Sequence, residues 1–191
     1  AICGRITAPL YKTRIFRSII MRKRRLATLG CKPVGTNLRG MDMRVTTKTN
    51  LAMRILMACA VHRDRSLHKH DLARTINASE GHLAVVVNEL SRLGFLTTIR
   101  GRTGGFYLRL APEEISVGRV FRLLEGNIPV AECFDSQTNT CPLSSCCRLN
   151  TSIARAMEAF YATLDPVTLA DLVEENAGLA RLLALASDPP R

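Results

Sequence analysis

The stretch Arg100-Gly101-Arg102-Thr103-Gly104-Gly105 lies between two short runs of strand-forming residues, Phe95-Leu96-Thr97-Thr98-Ile99 and Phe106-Tyr107-Leu108-Arg109. Three glycines in six residues fit a tight reversal, because glycine enters the turn conformations that a short hairpin needs. The chain is expected to form an antiparallel hairpin here, and the elements before it must pack behind it.

Those elements read as three helices. From Thr47, residues Leu51, Ile55, Leu56, Cys59 and Ala60 recur at spacings of three and four, one face of a helix. His62 to Ser66 interrupts, and a second helix is expected from Leu67 to Ile76 with Leu72, Ala73 and Ile76 inward. Asn77-Ala78-Ser79 makes a turn with Ser79 as N-cap, and a third helix runs from Glu80 to Leu93 on Leu83, Val86, Val87, Leu90 and Leu93. Gly94 follows where a left-handed helix end needs glycine. Three helices and a glycine-tipped hairpin form a winged helix-turn-helix, in which the third helix enters the major groove and the wing lies along phosphates. Ser79, Glu80, His82, Asn88 and Arg92 are the candidate base and backbone contacts on that helix. Arg100, Arg102, Gly104 and Gly105 are the candidate contacts on the wing. The fold class is therefore mainly α with a small β wing.

Charge agrees with a polyanionic partner at one end. Residues 1–42 carry ten Lys/Arg and one acid, residues 43–109 eleven against four, and residues 110–191 six against eleven. A basic half beside an acidic half points to double-stranded DNA at the first and another task at the second. Residues 1–42 have no helical or strand period, and Gly30, Pro33, Gly35 and Gly40 interrupt them. They read as a disordered basic extension or as upstream sequence before a start at Met41 or Met43. The winged module is expected over 43–126, a cysteine loop over 127–149, helices over 150–185 and a tail over 186–191.

Four of the seven cysteines, Cys133, Cys141, Cys146 and Cys147, fall within fifteen residues. The odd total, with no secretory signal, argues against a disulfide framework. No segment is long and apolar enough to span a membrane, so a soluble, cytoplasmic protein is expected. Cys133, Cys141 and Cys147, at intervals of eight and six, can converge on one centre. Thiolates suit an iron–sulfur cluster or zinc, and a redox disulfide is a third reading. Zinc is disfavoured by the lack of a C-x₂₋₄-C pair and of any His in the loop. Cys146 adjoins Cys147, so one of the two is expected to be no ligand. Cys59 reads as core. No phosphate-binding glycine loop, nucleophile–base pair or metal-hydrolase His cluster is present, so an enzyme is not expected.

Residues 150–164 read as one helix striped by Ile153, Met157, Phe160, Tyr161 and Leu164, a face suited to pairing in a homodimer. Asp165 is expected to cap a short helix beginning at Pro166, with a last helical piece over 177–185.

Thr49-Asn50-Leu51-Ala52-Met53-Arg54, Leu90-Ser91-Arg92-Leu93-Gly94-Phe95 and the wing segment resemble the Rrf family of bacterial winged-helix regulators. Cys141-Pro142-Leu143 through Cys147-Arg148-Leu149, and Leu164-Asp165 through Thr168 to Asn176, resemble its nitric-oxide-sensitive repressor branch. The resemblance covers residues 43–185. It implies a homodimer with a cluster, 2Fe-2S or 4Fe-4S, on Cys133, Cys141 and Cys147, and a repressor that leaves its operator when nitric oxide attacks that cluster. Two features depart from that branch. The interval of eight is closer to rhizobial iron regulators of the family, as is Asn50 where some nitric-oxide sensors place an Asp that reaches the partner's cluster. An iron-responsive regulator is the alternative within the family. A cluster-carrying accessory protein, docking through its winged helix, is the alternative outside it.

Overall fold

The computed structural model describes residues 45–101, 104–126 and 129–185. The expectations for residues 1–42, for Arg102 and for the tail 186–191 lie outside them.

Helix α1, Thr47–Val61, begins at Thr46, whose hydroxyl accepts the amide of Thr49 at 3.2 Å. Its buried residues, Leu51, Ala52, Met53, Ile55, Leu56, Ala58, Cys59 and Ala60, occupy more than one face. Helix α2, Lys69–Thr75, follows a charged turn. It starts two residues later than expected because Leu67 exchanges both backbone hydrogen bonds with Phe106, at 2.8 and 3.0 Å, and so joins the sheet instead. Arg54 of α1 donates to the carbonyl of Ile76 at 3.2 Å and satisfies the end of α2. Helix α3, Glu80–Arg92, is capped by Ser79, which accepts the amide of His82. It buries Leu83, Val86, Val87 and Leu90. Gly94, at φ +84, turns the chain out of α3 in the left-handed region, as expected.

Strands β1, Leu96–Thr98, and β2, Phe106–Leu108, pair antiparallel with Thr97 opposite Tyr107. Ile99 and Gly105 close the hairpin with reciprocal bonds of 2.7 and 3.1 Å. Three helices and this wing form a winged helix-turn-helix.

After a single 3₁₀ turn, Pro112–Glu114, helix α4 runs Val117–Glu125 from its N-cap Ser116. Glu125 is its last residue, and its carboxylate returns to the start of α1: it accepts the backbone N–H of Thr46 at 3.0 Å and the Thr46 hydroxyl at 2.7 Å. Partial burial alone would push this carboxyl up. Hydrogen bonds from Thr49 and Thr46 and the Lys48 ammonium outweigh burial and hold it below its ordinary value.

Helix α5, Arg148–Leu164, contains no buried residue. Its C-terminal end is held to α4. Arg122 pairs with Asp165 at 2.9 Å and Glu158 at 3.4 Å and lies 4.4 Å over the Tyr161 ring. Those two carboxylates push the Arg122 guanidinium further up. Phe121 meets Phe160 edge to face, with ring centroids 6.1 Å apart.

Asp165 ends α5 and does not cap the next helix, contrary to expectation. Its side chain is held by Arg122, and Ser116 donates to its carbonyl at 2.9 Å. The cap of α6, Leu169–Val173, is Thr168, whose hydroxyl and Asp171 carboxylate satisfy each other's backbone amides. The fully buried Leu169 brings α6 against α1. Helix α7, Ala177–Leu182, is shorter than expected. Leu183 and Leu185 continue as buried non-helical chain, and His62 hydrogen-bonds the Leu183 carbonyl at 3.0 Å. Among the described residues no helix is long and apolar enough to cross a membrane.

Gly118 lies at the α4–α5 joint. A Cβ there would stand 2.6 Å from the Asp165 nitrogen and 2.8 Å from its Cα, so only glycine allows this approach. Gly118→Ala is expected to cost about 2 kcal/mol by overpacking, read by urea unfolding. An unchanged midpoint would show that the approach is not required. Glu125→Gln tests the second tie. A carboxyl whose folded pKa is depressed contributes stability that is present above its unfolded value, ordinarily 4.5, and lost as pH falls through the folded value. The wild type should lose this contribution on acidification, whereas the variant should lack about 1 kcal/mol at neutral pH, after solvent screening, and show a flatter acid limb. Identical pH profiles would remove Glu125 as a tie.

Candidate functional site

The outward face of α3 is set by the inward one. With Leu83, Val86, Val87 and Leu90 turned to the core, Gly81, Val85, Asn88 and Arg92 form a stripe at spacings of four, three and four on the opposite side. His82, Asn88 and Arg92 are exposed there as the sequence predicts. Ser79 lies at the head of the helix with its hydroxyl used as the cap. Glu80 is exposed but already partnered, by His70 Nδ1 at 2.7 Å. Glu89, next to this stripe, binds Lys48 of α1 at 3.2 Å and so fixes α3 against α1.

Val85 is the residue that the sequence reading missed. It is 61% exposed at the middle of the stripe. The period that places Val86 and Val87 inside places Val85 outside, so the signal was present and was hidden by three successive valines. Gly81, one turn before it, also went unremarked.

The wing follows α3 and carries a further exposed cation. Arg100 is exposed at its turn, beside Gly101 at φ +112. Gly104 and Gly105 have no room for a side chain: a Cβ would stand 2.5 Å from the Ile99 carbonyl at the first and 2.7 Å from the Leu67 carbonyl at the second. Their role is to close the wing. His68 Nδ1 donates to the Gly104 carbonyl at 2.7 Å and ties the wing to the head of α2.

The cysteine loop is organised by polar side chains. Glu132 and Thr140 directly precede Cys133 and Cys141, and the Glu132 carboxylate accepts the Thr140 amide at 2.6 Å and its hydroxyl at 2.5 Å. Those two bonds hold the Glu132 carboxyl below its usual range. The clamp draws together the two ends of the eight-residue interval, and Asp135 turns the chain between them by accepting Gln137 N and Thr138 Oγ1. Cys147 is the N-cap of α5. Asn150, in the first turn of α5, donates to Cys133 Sγ at 3.2 Å, so Cys133 is tied to the helix that Cys147 caps. All five described cysteines are free, and Cys146 is the most open of the four in the loop. Among the described residues no three His, Cys, Asp or Glu side chains converge at metal-binding distance. The fit to a cluster therefore rests on the donor set, soft sulfur ligands on one short loop, and not on a closed cage. Asn50 is exposed in the first turn of α1, apart from this loop in sequence. Cys59 is a core residue: burial pushes its thiol up to about 12.

Comparison with known proteins agrees with this architecture. The model of the family Rrf2, described as iron-dependent transcriptional regulators, matches residues 45–175. The regulator NsrR of Geobacillus kaustophilus is 42% identical over 142 residues, spanning 74% of this chain and 97% of that protein. The repressor NsrR of Streptomyces coelicolor is 40% identical over 149 residues, 77% and 99% of the two chains. The solved structure of IscR from T. potens shares the fold, with a TM-score of 0.55 at 23% identity, over 71% of this chain and 89% of that one. A family match from α1 through α6, over the wing and the cysteine loop, shows that this chain belongs to the Rrf2 family of transcriptional regulators and is not an enzyme.

Proposed function

We propose that this protein is a DNA-binding transcriptional repressor that acts as a homodimer and senses nitric oxide through an iron–sulfur cluster held by Cys133, Cys141 and Cys147. The observation that carries this reading is the clamped loop of free thiols, joined at Cys133 and Cys147 to the head of α5. The NsrR names of its relatives, one of them a named repressor, support it. The unburied stripe of α5 supports pairing of two copies, since an apolar helix face needs cover.

When bound, the cluster supplies iron that nitric oxide can ligate. Cys133, Cys141 and Cys147 would hold it by sulfur, and Asn50, a neutral amide, is a poorer ligand than a carboxylate would be at that position. Asn150 orients Cys133 through its amide hydrogen bond. The link to DNA runs along contacts already described. Glu125 ends the helix that enters the loop, holds the first turn of α1, and Lys48 of that turn holds Glu89 of α3. A displaced loop pulls on this run and alters the set of α3 against the wing. Ser79, His82, Asn88 and Arg92 face the major groove, with Glu80 beside them. Arg100 and Arg102 take phosphates near Gly104 and Gly105.

The family's description as iron-dependent favours a second reading, in which iron scarcity empties the same thiols. One titration separates the two. Anaerobically purified full chain is followed by visible absorbance and by operator binding as nitric oxide is added. Bleaching with parallel loss of binding is the expected result. Bleaching by an iron chelator alone, with indifference to nitric oxide, selects the iron reading, and colourless protein that retains zinc refutes both. In the same assay Cys147→Ser should lose the cluster and Cys146→Ser should keep it; the reverse reassigns the ligand. Brief alkylation of the cluster-free protein should label the four loop cysteines and spare Cys59, and a labelled Cys59 would contradict its burial.

A further inference from the structure

We propose that Gly81 and Val85 form a notch on α3 that reads the 5-methyl group of a thymine in the bound DNA. This rests on the DNA-binding reading above and adds to it the base that the helix selects.

A single exposed apolar residue needs no explanation on most surfaces. Val85 is different in what stands beneath it. A helical side chain leans over the turn before its own Cα, so Val85, at 61% exposure, leans toward Gly81 four residues earlier. A Cβ built on Gly81 meets nothing within 4 Å, and its backbone lies outside the left-handed region, so neither sterics nor backbone conformation calls for glycine there. Glycine and a β-branched residue both weaken a helix, and here each does so on the uncovered side of α3 with no packing in return. Together they leave a floor without a side chain below two exposed methyl groups, a shape that admits the flat edge of a base pair.

The surroundings identify the occupant. Arg92 on the same stripe is exposed and Arg100 is exposed on the wing, so the face is suited to a polyanion. His82 and Asn88 bracket Val85 with hydrogen-bonding groups. Both acids beside the stripe are engaged, Glu80 by His70 and Glu89 by Lys48 at 3.2 Å and by Arg92 at 4.0 Å. Among the bases, thymine alone presents a methyl group in the major groove, beside a carbonyl acceptor. An apolar side chain flanked by polar ones matches that edge.

The test begins with anaerobically purified full chain and a pool of random-sequence duplexes, from which the preferred operator is selected. Each thymine is then replaced in turn by deoxyuridine, which deletes only the methyl, and affinities are measured for wild type, Val85→Ala and Gly81→Ala. At one or more positions the wild type should lose about fourfold, the value of burying one methyl-sized group. Val85→Ala should bind thymine and uracil equally there. Gly81→Ala should unfold no more easily than wild type and bind the selected operator more weakly, because its new methyl fills the notch. Indifference to every uracil, or discrimination that survives Val85→Ala, overturns the thymine assignment and leaves DNA binding intact. Failure to enrich any sequence overturns the DNA-reading role of α3, and the notch with it.

Discussion

Helix α1 carries buried side chains from Leu51 to Ala60 over more than one face, and a helix of that kind must be covered from several directions. Helices α3, α4 and α6 and strand β2 all pack on it. Helix α3, the helix that precedes the cysteine loop and the capped turn after α5 thus share one neighbour. Polar ties then fix their angles: Lys48 to Glu89, Arg54 to the end of α2, and Glu125 to Thr46. Apolar burial assembles the group, and the directional bonds at the head and middle of α1 decide how its members are set.

The cysteine loop depends on another kind of constraint. It has no buried residue between Val130 and Cys147, so hydrophobic packing cannot shape it. Glu132 with Thr140, Asp135 with its turn, and Asn139 with the Cys141 amide shape it instead. Loops held by exposed hydrogen bonds open at low free-energy cost, and ligand-responsive segments are drawn from that class. Cys59, closed inside α1, shows the contrast within one chain. Its thiol is kept protonated by burial, while the loop thiols remain open to ligands and reagents.

Much of this was legible in the sequence where a local rule governs. The inward faces of α1 and α3, the Ser79 cap and the left-handed Gly94 follow from periodicity and backbone preference. Misreadings arose where a distant residue decides. Leu67 leaves the second helix because Phe106, far along the chain, offers it a strand partner. Asp165 fails to cap because Arg122 and Ser116 claim it from α4. Thr168 with Asp171 was a readable capping pair, passed over for the more conspicuous Pro166. Cysteine spacing marked the candidate ligands, but the Glu132–Thr140 clamp and the Asn150 bond depend on how the loop folds back, which spacing does not encode.

The joint at Gly118 has a mechanical consequence. The ring contacts and ion pairs described between α4 and α5 all come from Glu158 to Asp165, the last part of a 17-residue helix. At that end the glycine leaves no gap into which the helix could slide. A turn about that joint would make α5 a lever about 25 Å long with Cys147 at its far tip. A tilt of about 5° at the pivot moves that tip by about 2 Å, roughly the length of one metal–sulfur bond. On that lever a small displacement at the thiols would correspond to a slight turn at Arg122, and a slight turn there to a larger displacement at the thiols.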